Sequence, residues 1–240
     1  MTQTNDHRPR VNAERRARMR RRLMEAAMLV FAEKGIENSQ IDDVMKAADV
    51  SRGGFYGHFR SMPELLGAIG AELANETMRF IEERVIRIAD PAERIAHGLL
   101  LYLWLGRAYP HFARFISAAG ANINNPHNLV YEYLPPHIAA ANELGRLSVT
   151  SPAAAVDLIA GTMLVALSRI AAGQMEVGYC QEIVGSILMG MGMRAAPARK
   201  LALLEVDPLI PPQDSLLQRS HLRHLANERH LPTADVGKTQ

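Results

Sequence analysis

The chain has very little cysteine and few aromatic residues. Its 240 residues include one cysteine, one tryptophan and 5% aromatic residues in all. A single cysteine, Cys180, cannot form an internal disulfide or a cysteine-built zinc site, so the sequence favours a reducing compartment and a cytoplasmic location. The spacing of His111, His127 and His137 matches no recognised ligand set, and we expect neither a metal nor a cofactor.

Long apolar runs and catalytic motifs are also missing. The longest apolar stretches, around residues 99–105 and 158–168, are too short to span a bilayer and have charged neighbours. The basic N-terminus lacks the apolar segment that follows the basic residues of a signal peptide. The sequence contains no nucleophile elbow, paired carboxylates or glycine-rich phosphate loop. We therefore expect no membrane partner and no enzymatic activity.

Charge is distributed unevenly along the chain. Residues 1–22 carry eight arginines against two acidic residues, whereas residues 61–194 carry nine basic residues against twelve acidic ones. A basic segment ahead of a mildly acidic body favours a polyanionic partner on one side of the protein. A solvated basic arm would give the same pattern, so the charge run alone leaves both interpretations open.

Helical periodicity runs through most of the chain, without a convincing alternating strand. Apolar residues recur at spacings of three and four up to Phe31, and Gly35 ends this first helix. Ser39 (with Asp42 as its capping-box partner) and Ser51 are predicted caps of two short helices, and Ser61 begins a longer one. We predict an all-α fold, with further helices over about 90–107, 111–119, 129–147, 152–174 and 180–191.

The two short helices, 39–48 and 51–58, fit a helix-turn-helix unit. The second helix of such a unit enters the major groove of DNA with its N-terminus first. Arg52, Gly53 and Gly54 occupy that end, where glycine lets the backbone approach DNA and arginine can bind guanine or phosphate. Phe55 and Phe59 are expected to face the small core. The remaining polar candidates beside this helix are Tyr56, His58 and Arg60.

Four sequence motifs carry a family resemblance. They are F-A-E-K-G at the end of the first helix, S-x-I-D-D-V, V-S-R-G-x-F-Y-x-H-F and S-x-x-E-L-L. Over about residues 17–77 the chain resembles the DNA-binding domain of the tetracycline-repressor (TetR) family. The resemblance implies a homodimer on a palindromic operator, a small-molecule pocket in the body, and two C-terminal helices that form a four-helix dimer interface. Two positions depart from the family pattern: Asp49 replaces the usual glycine of the turn, and Met62 replaces a frequent lysine.

These expectations assign residues to three sites: the DNA contacts, the effector pocket and the dimer interface. The predicted contacts to double-stranded DNA are Ser39, Gln40, Ser51, Arg52, Gly53, Gly54, Tyr56, His58 and Arg60. The middle helices are rich in aromatic and polar groups, which favours a pocket for a hydrophobic or aromatic molecule with an acidic or hydrogen-bonding end near Arg169. The predicted pocket residues are His97, Tyr102, Trp104, Phe112, Phe115, Tyr131, Met163 and Arg169. The predicted dimer contacts are Ile159, Met163, Leu167, Ile183, Ile187 and Met191.

The sequence thus predicts four segments and one main function. The segments are a basic arm (1–16), a DNA-binding domain (17–77), a helical effector-binding and dimerisation domain (78–195) and a partly ordered tail (196–240). The predicted function is transcriptional repression that a small effector relieves. A ligand-independent regulator under the control of a protein partner, and an enzyme that uses the body pocket, are the alternatives. Cys180 lies on an apolar helix stripe and is expected to be a buried small side chain rather than a redox sensor.

Overall fold

The computed structural model describes residues 7–120 and 129–230. All regular structure in these two ranges is helical, which confirms the predicted all-α class. The eleven helices are α1 (His7–Lys34), α2 (Ile41–Ala48), α3 (Arg52–Tyr56), α4 (Met62–Val85), α5 (Pro91–Ala108), α6 (Pro110–Ala119), α7 (Val130–Glu143), α8 (Pro152–Ala171), α9 (Tyr179–Gly190), α10 (Ala195–Ala202) and α11 (Leu216–His230).

Helices α1 to α3 and the first turns of α4 form a small head. Phe55 and Phe59 are almost completely buried there, as the sequence predicts, and they pack beside Val44 of α2 and Leu65 of α4. The same apolar cluster continues without a break into the body, where Phe31 of α1 stacks on Phe115 of α6 with ring centroids 6.2 Å apart. The head therefore shares its core with the body.

The start of α2 differs from the sequence prediction. Gln40, not Ser39, is the cap, and its backbone N–H donates to the carboxylate of Asp43 at 3.0 Å. Ser39 is buried, and its hydroxyl donates to the carbonyl of Gly35 at 2.6 Å. The predicted partner, Asp42, lies one position too early to reach back to Gln40, so the helix begins one residue later than a cap at Ser39 would give.

Helix α4 connects the head to the body. Its N-terminal half buries Leu65, Ile69 and Leu73 against the head, and its C-terminal half buries Ile81 and Val85 in the body. The helix ends at Val85. After it the chain restarts as predicted: the carboxylate of Asp90 accepts from the N–H of Ala92, and proline occupies the first position of α5.

The body surrounds α5 with α4, α6, α7, α8 and α9. Helix α7 continues through Pro135 and Pro136, although a proline inside a helix usually kinks or breaks it. By length and composition alone, α8 is the one helix in the described ranges that could cross a membrane. Because α8 also packs against four helices of the body, as the core helix of a soluble protein does, this is weak evidence for a membrane span.

The segment predicted as a partly ordered tail contains two packed helices. Helix α10 lies on α9 and α5, and α11 folds back onto α1, α4 and α6. Leu209, Leu216 and Leu217 of this segment are buried in the cluster that joins head and body. Residues 231–240 lie outside the described ranges, as do residues 1–6 of the predicted basic arm and residues 121–128 of the loop after α6.

Candidate DNA interface and effector cavity

The turn between α2 and α3 contains Asp49 in the left-handed conformation. Its φ is +50°, and among the described residues it is the one non-glycine residue with positive φ. Aspartate accepts this conformation more easily than most residues, because its short side chain can hydrogen-bond locally. Here the carboxylate of Asp49 accepts a hydrogen bond from Arg22 at 3.1 Å, so the side chain also links the turn to α1.

Helix α3 presents its first residues to solvent. The hydroxyl of Ser51 caps the helix by accepting from the N–H of Gly54 at 3.2 Å. The side chain of Arg52 is 72% exposed, and its guanidinium lies 3.6 Å from the carboxylate of Asp42. A Cβ atom added at Gly53 would meet nothing within 4 Å. Packing inside the protein therefore does not require glycine at this position.

Arginines of α1 lie beside the C-terminal end of α3. The guanidinium of Arg16 donates to the carbonyl of Gly57 at 3.5 Å, and that of Arg20 lies 5.2 Å from the centre of the Phe59 ring. Burial lowers the pKa of His58, and the positive charges of Arg16 and Arg20 lower it further. Two positive charges therefore lie next to α3, the predicted recognition helix, which suits a polyanion.

Most predicted DNA contacts are exposed to solvent. The exposed ones are Gln40, Ser51, Arg52, Gly53, Tyr56 and Arg60, whereas Gly54 and His58 are partly buried. Ser39 is the exception, because its buried hydroxyl is used within the head. The described part of the basic arm, from residue 7, continues α1 as helix, and its side chains are exposed over residues 11–16.

A cavity of about 540 Å³ lies inside the body between α4, α5, α7 and α8. This volume is typical of small-molecule sites. The apolar part of the wall consists mainly of Met78, Ile81, Leu99, Ile116, Met163 and Leu164. The polar part consists of Thr77, Glu82, Arg94, Tyr102, Tyr133, His137 and Asp157.

Two polar features of the cavity wall stand out chemically. His137 and Glu82 form a hydrogen-bonded pair at 2.9 Å, with side chains only 10% and 21% exposed. Tyr102 packs edge-on against Phe112, and its hydroxyl makes no hydrogen bond to any described residue. Burial raises the pKa of Tyr102, so this hydroxyl stays protonated and can donate to a bound molecule.

Residues 23–69 match the profile of the bacterial regulatory proteins of the tetR family. Residues 23–69 thus form a DNA-binding domain of the TetR family of transcriptional regulators. The uncharacterised regulator YvdT of Bacillus subtilis (strain 168) is 34% identical over 64 residues, which cover 27% of this chain and 33% of YvdT. The repressor DhaR of Mycobacterium sp. (strain GP1) is 32% identical over 79 residues, which cover 33% of this chain and 40% of DhaR. The aligned part thus spans well under half of either relative.

Solved structures resemble the fold over a longer stretch. The structure of RolR in complex with resorcinol has a TM-score of 0.65 and 22% identity, and the match covers 82% of this chain and 100% of RolR. FadR of Bacillus subtilis in complex with stearoyl-CoA has a TM-score of 0.59 and 17% identity, over 78% of this chain and 98% of FadR. The matched domain is that of a family of transcriptional regulators, which agrees with the prediction of a DNA-binding regulator rather than an enzyme.

The predicted effector residues lie at scattered positions in the body. Tyr102 and Met163 line the cavity, but the other six do not. Phe112 and Phe115 are fully buried in the core, and Tyr131 is exposed. Arg169 is also exposed, and its guanidinium lies 5.9 Å from the ring of Tyr179. The acidic ligand group expected near Arg169 therefore has no place in this cavity.

Sequence reasoning missed the other polar groups of the cavity wall. Glu82 and Arg94 resemble ordinary charged residues near helix ends, and nothing in their spacing points to a cavity. His137 was considered as a metal ligand with His111 and His127 and was counted among the aromatic and polar groups of the middle helices, but it was not one of the predicted pocket residues. One sequence pattern could have predicted that α4 lines the cavity. An apolar stripe at helical spacing runs along this helix through Ala74, Thr77 or Met78, Ile81 and Val85.

The predicted dimer contacts of α8 and α9 face the protomer's own core. Ile159, Met163, Leu167, Ile187 and Met191 are each at most 4% exposed, and Ile183 is partly buried. The opposite face of these helices exposes other apolar side chains: Leu158 is 41% exposed, Val165 57% and Met189 39%. Gly185 faces Ala202 of α10 and Gly190 faces Leu158, so both glycines accommodate neighbours within the protomer.

Proposed function

We propose that the chain is a cytoplasmic homodimeric repressor that binds a palindromic operator and releases it when a small molecule enters the body cavity. The observation that carries this proposal is the course of α4. Its N-terminal half packs in the DNA-binding head, and its C-terminal half lines the cavity through Thr77, Ile81 and Glu82. A ligand that displaces this wall must move the same helix that supports the head.

The proposed operator contacts combine base and phosphate binding. Arg52 is free enough of protein contacts to reach a guanine, and exposed Tyr56 can donate its hydroxyl to a phosphate. The glycines at the start of α3 permit close approach of the DNA backbone. Gln40 is exposed at the N-terminus of α2, so its side chain is available for a contact to DNA. Arginines along α1 supply sequence-independent affinity.

The proposed dimer surface is the exposed face of α8 and α9. Leu158, Gly161 and Val165 repeat at spacings of three and four along α8, and Met189 of α9 lies on the same outer side of the body. An exposed apolar surface of this kind marks an association site. Val165→Glu is therefore expected to shift sedimentation mass to the monomer. Leu144→Glu, at a 65% exposed leucine after α7, is the matched control and should leave the dimer intact.

The proposed effector is a largely apolar molecule with uncharged hydrogen-bonding groups. Arg94 and Tyr102 both line the cavity and lie eight residues apart on α5, about 12 Å along the helix axis, so these two polar side chains begin at different levels of the cavity. A ligand oxygen that accepts from Tyr102 would enter a site whose low polarity disfavours a charge. Solved relatives are recorded with resorcinol and with stearoyl-CoA, which are both partly apolar molecules.

The experiment that tests the function has two stages. Selection of bound duplexes from a random pool should first yield a palindrome, and that duplex should repress a reporter when it overlaps the promoter. A thermal-shift screen that begins with resorcinol and other phenols should then identify ligands, because saturation at 100 times Kd stabilises by about 2.7 kcal/mol. A ligand that stabilises the wild type and releases the duplex should do both less well with Tyr102→Phe.

Two results would replace this proposal. If the protein selects DNA but no apolar compound shifts its unfolding, a ligand-independent regulator under the control of a protein partner becomes the better interpretation. If the ligands that bind also increase transcription from the operator without release of the protein, the chain is an activator. The reporter assay separates these cases, because it records the direction of the response.

A further inference from the structure

Helix α11 contacts the DNA-binding head, α4 and the body together. It packs on α1, α4 and α6, and it follows a segment in which the carbonyl of Pro208 accepts from Arg84 at the end of α4. Helix α4 and the packing of α1 on α6 also connect head and body, so α11 is a further attachment. Each added attachment restricts the motion of the head relative to the body.

The N-terminus of α11 is fixed to α4 by a buried carboxylate. Glu76 is 7% exposed, and its two oxygens accept from the backbone N–H groups of Leu216 and Leu217 at 2.8 and 3.3 Å. These N–H groups have no partner within a helix, and the helix dipole favours a negative group there. Glu76 directly precedes Thr77 of the cavity wall. The cavity and the start of α11 therefore share one turn of α4.

The next two turns of α11 attach to the head. Arg219 forms an ion pair with Glu25 of α1 at 2.5 Å, with side chains 24% and 16% exposed. The guanidinium of Arg223 donates to the carbonyl of Ala47 in the last turn of α2. Asp49, whose left-handed backbone turns the chain towards the recognition helix, lies two residues beyond Ala47. The α11 contact thus ends next to the turn that orients α3.

The other side of α11 attaches to the body. Tyr109 donates its hydroxyl to the side chain of Gln218 at 3.2 Å, and a ring nitrogen of His111 lies 3.1 Å from the hydroxyl of Ser220. The ring of His221 packs on that of Tyr109 with centroids 4.8 Å apart. Because Gln218 and Ser220 flank Arg219 in sequence, the same turn of α11 contacts both head and body.

We propose that Arg219 and Arg223 are positioning residues for DNA binding, which hold the recognition helix at a fixed angle to the body. In a dimer this fixes the separation of the two recognition helices, so α11 sets which operator spacing is bound. The inference rests on the proposed dimeric repressor. A displacement of the cavity wall reaches the head through α4 and also through Glu76 and α11.

The test measures the spacing preference of the full-length protein. The probes are the duplex selected by the wild type and two duplexes whose half-sites lie one base pair closer or farther apart. The wild type should bind the selected spacing about tenfold better than either altered one, since misplaced half-sites lose base contacts. In Arg219→Met/Arg223→Met the preference should fall to about twofold, with weaker binding to the selected duplex. Lys200→Met, at an exposed site of α10, is the control.

A reciprocal substitution guards against simple loss of folding. Glu25→Arg and Arg219→Glu should each reduce the spacing preference, and the two together should restore it, because the ion pair is re-formed with reversed charges. Thermal unfolding and sedimentation mass accompany each measurement. If the Arg219 and Arg223 variants are folded and dimeric but keep the same spacing preference as Lys200→Met, the proposed role of α11 is wrong. The repressor proposal would remain intact. Failure of the wild type to select any duplex overturns both.

Discussion

Gly53→Ala is expected to make the protein more stable while it weakens DNA binding. Gly53 is the second residue of α3, and an added Cβ would meet nothing within 4 Å. Alanine in a helix is favoured over glycine by about 0.5–1 kcal/mol, because glycine loses more backbone freedom on folding. For a chain of this size the gain corresponds to a rise in Tm of about 2–4 °C per kcal/mol.

The loss of DNA affinity has a separate cause. If the backbone of α3 lies against DNA at Gly53, a methyl group at this position must push the helix away from the DNA. Overpacking of this kind should reduce the binding free energy by about 1–3 kcal/mol. Each half-site of a dimeric operator complex would pay this cost. Fluorescence anisotropy with the selected duplex measures the effect, and thermal unfolding of the same sample measures stability.

The matched control is Gly67→Ala in α4, where an added Cβ also meets nothing within 4 Å. This variant should gain stability for the same reason and keep its DNA affinity, because Gly67 is not among the proposed contacts. Unchanged or improved DNA binding by Gly53→Ala would refute the close approach of the α3 backbone to DNA. A loss of stability would instead show that the free space around Gly53 is filled in solution.

Three further substitutions test the proposed roles of Arg52, His58 and His111. Arg52→Ala should weaken DNA binding by about 1–3 kcal/mol and should relax the preference at one base position of each half-site when the selection is repeated. Equal weakening for all sequences would instead identify a contact to phosphate. Burial and two arginines lower the pKa of His58, and nearby phosphates would raise it. DNA binding should therefore strengthen as the pH is lowered, and His58→Gln should remove this dependence. Burial, and then the charges of His221 and His224, lower the pKa of His111 to about 3. The unfolded state therefore binds more protons than the folded state below about pH 6.5. The free energy of unfolding should fall by about 2 kcal/mol between pH 7 and pH 5. His111→Gln should flatten that decline in acid-unfolding curves, with His97→Gln as control, and identical slopes for variant and wild type would contradict it.

Several helix ends, most of them in the DNA-binding head, could be predicted from the sequence. The hydroxyl of Ser51 caps α3, the Asp90-Pro91 pair begins α5, and Gly35 follows the end of α1, as predicted. Each of these features depends on residues within one turn of each other, so the sequence contains all the interacting groups. The exception at Ser39 arose because two neighbouring aspartates could each serve as the capping partner, and only the backbone geometry selects Asp43.

The packing of the body and of the C-terminal segment could not be predicted from sequence, because it depends on tertiary structure. Helix α8 is apolar on more than one side, so its periodicity could not tell which side packs inside the protomer. Burial places Ile159 and Met163 inside, and leaves Leu158 and Val165 exposed. The cavity likewise combines residues from helices that lie far apart in the chain.

The sequence by itself therefore determined the helical class, the helix-turn-helix and the family, because short-range capping and spacing encode them. Only the tertiary structure decided which face of α8 is exposed, where the cavity opens and how α11 attaches to the head. The contact between Glu76 and Leu216 joins residues 140 positions apart, and that between Glu25 and Arg219 joins residues 194 positions apart. Hydrophobic periodicity shows which side of a helix is buried, but the partner that covers it is fixed by the packing of the whole chain.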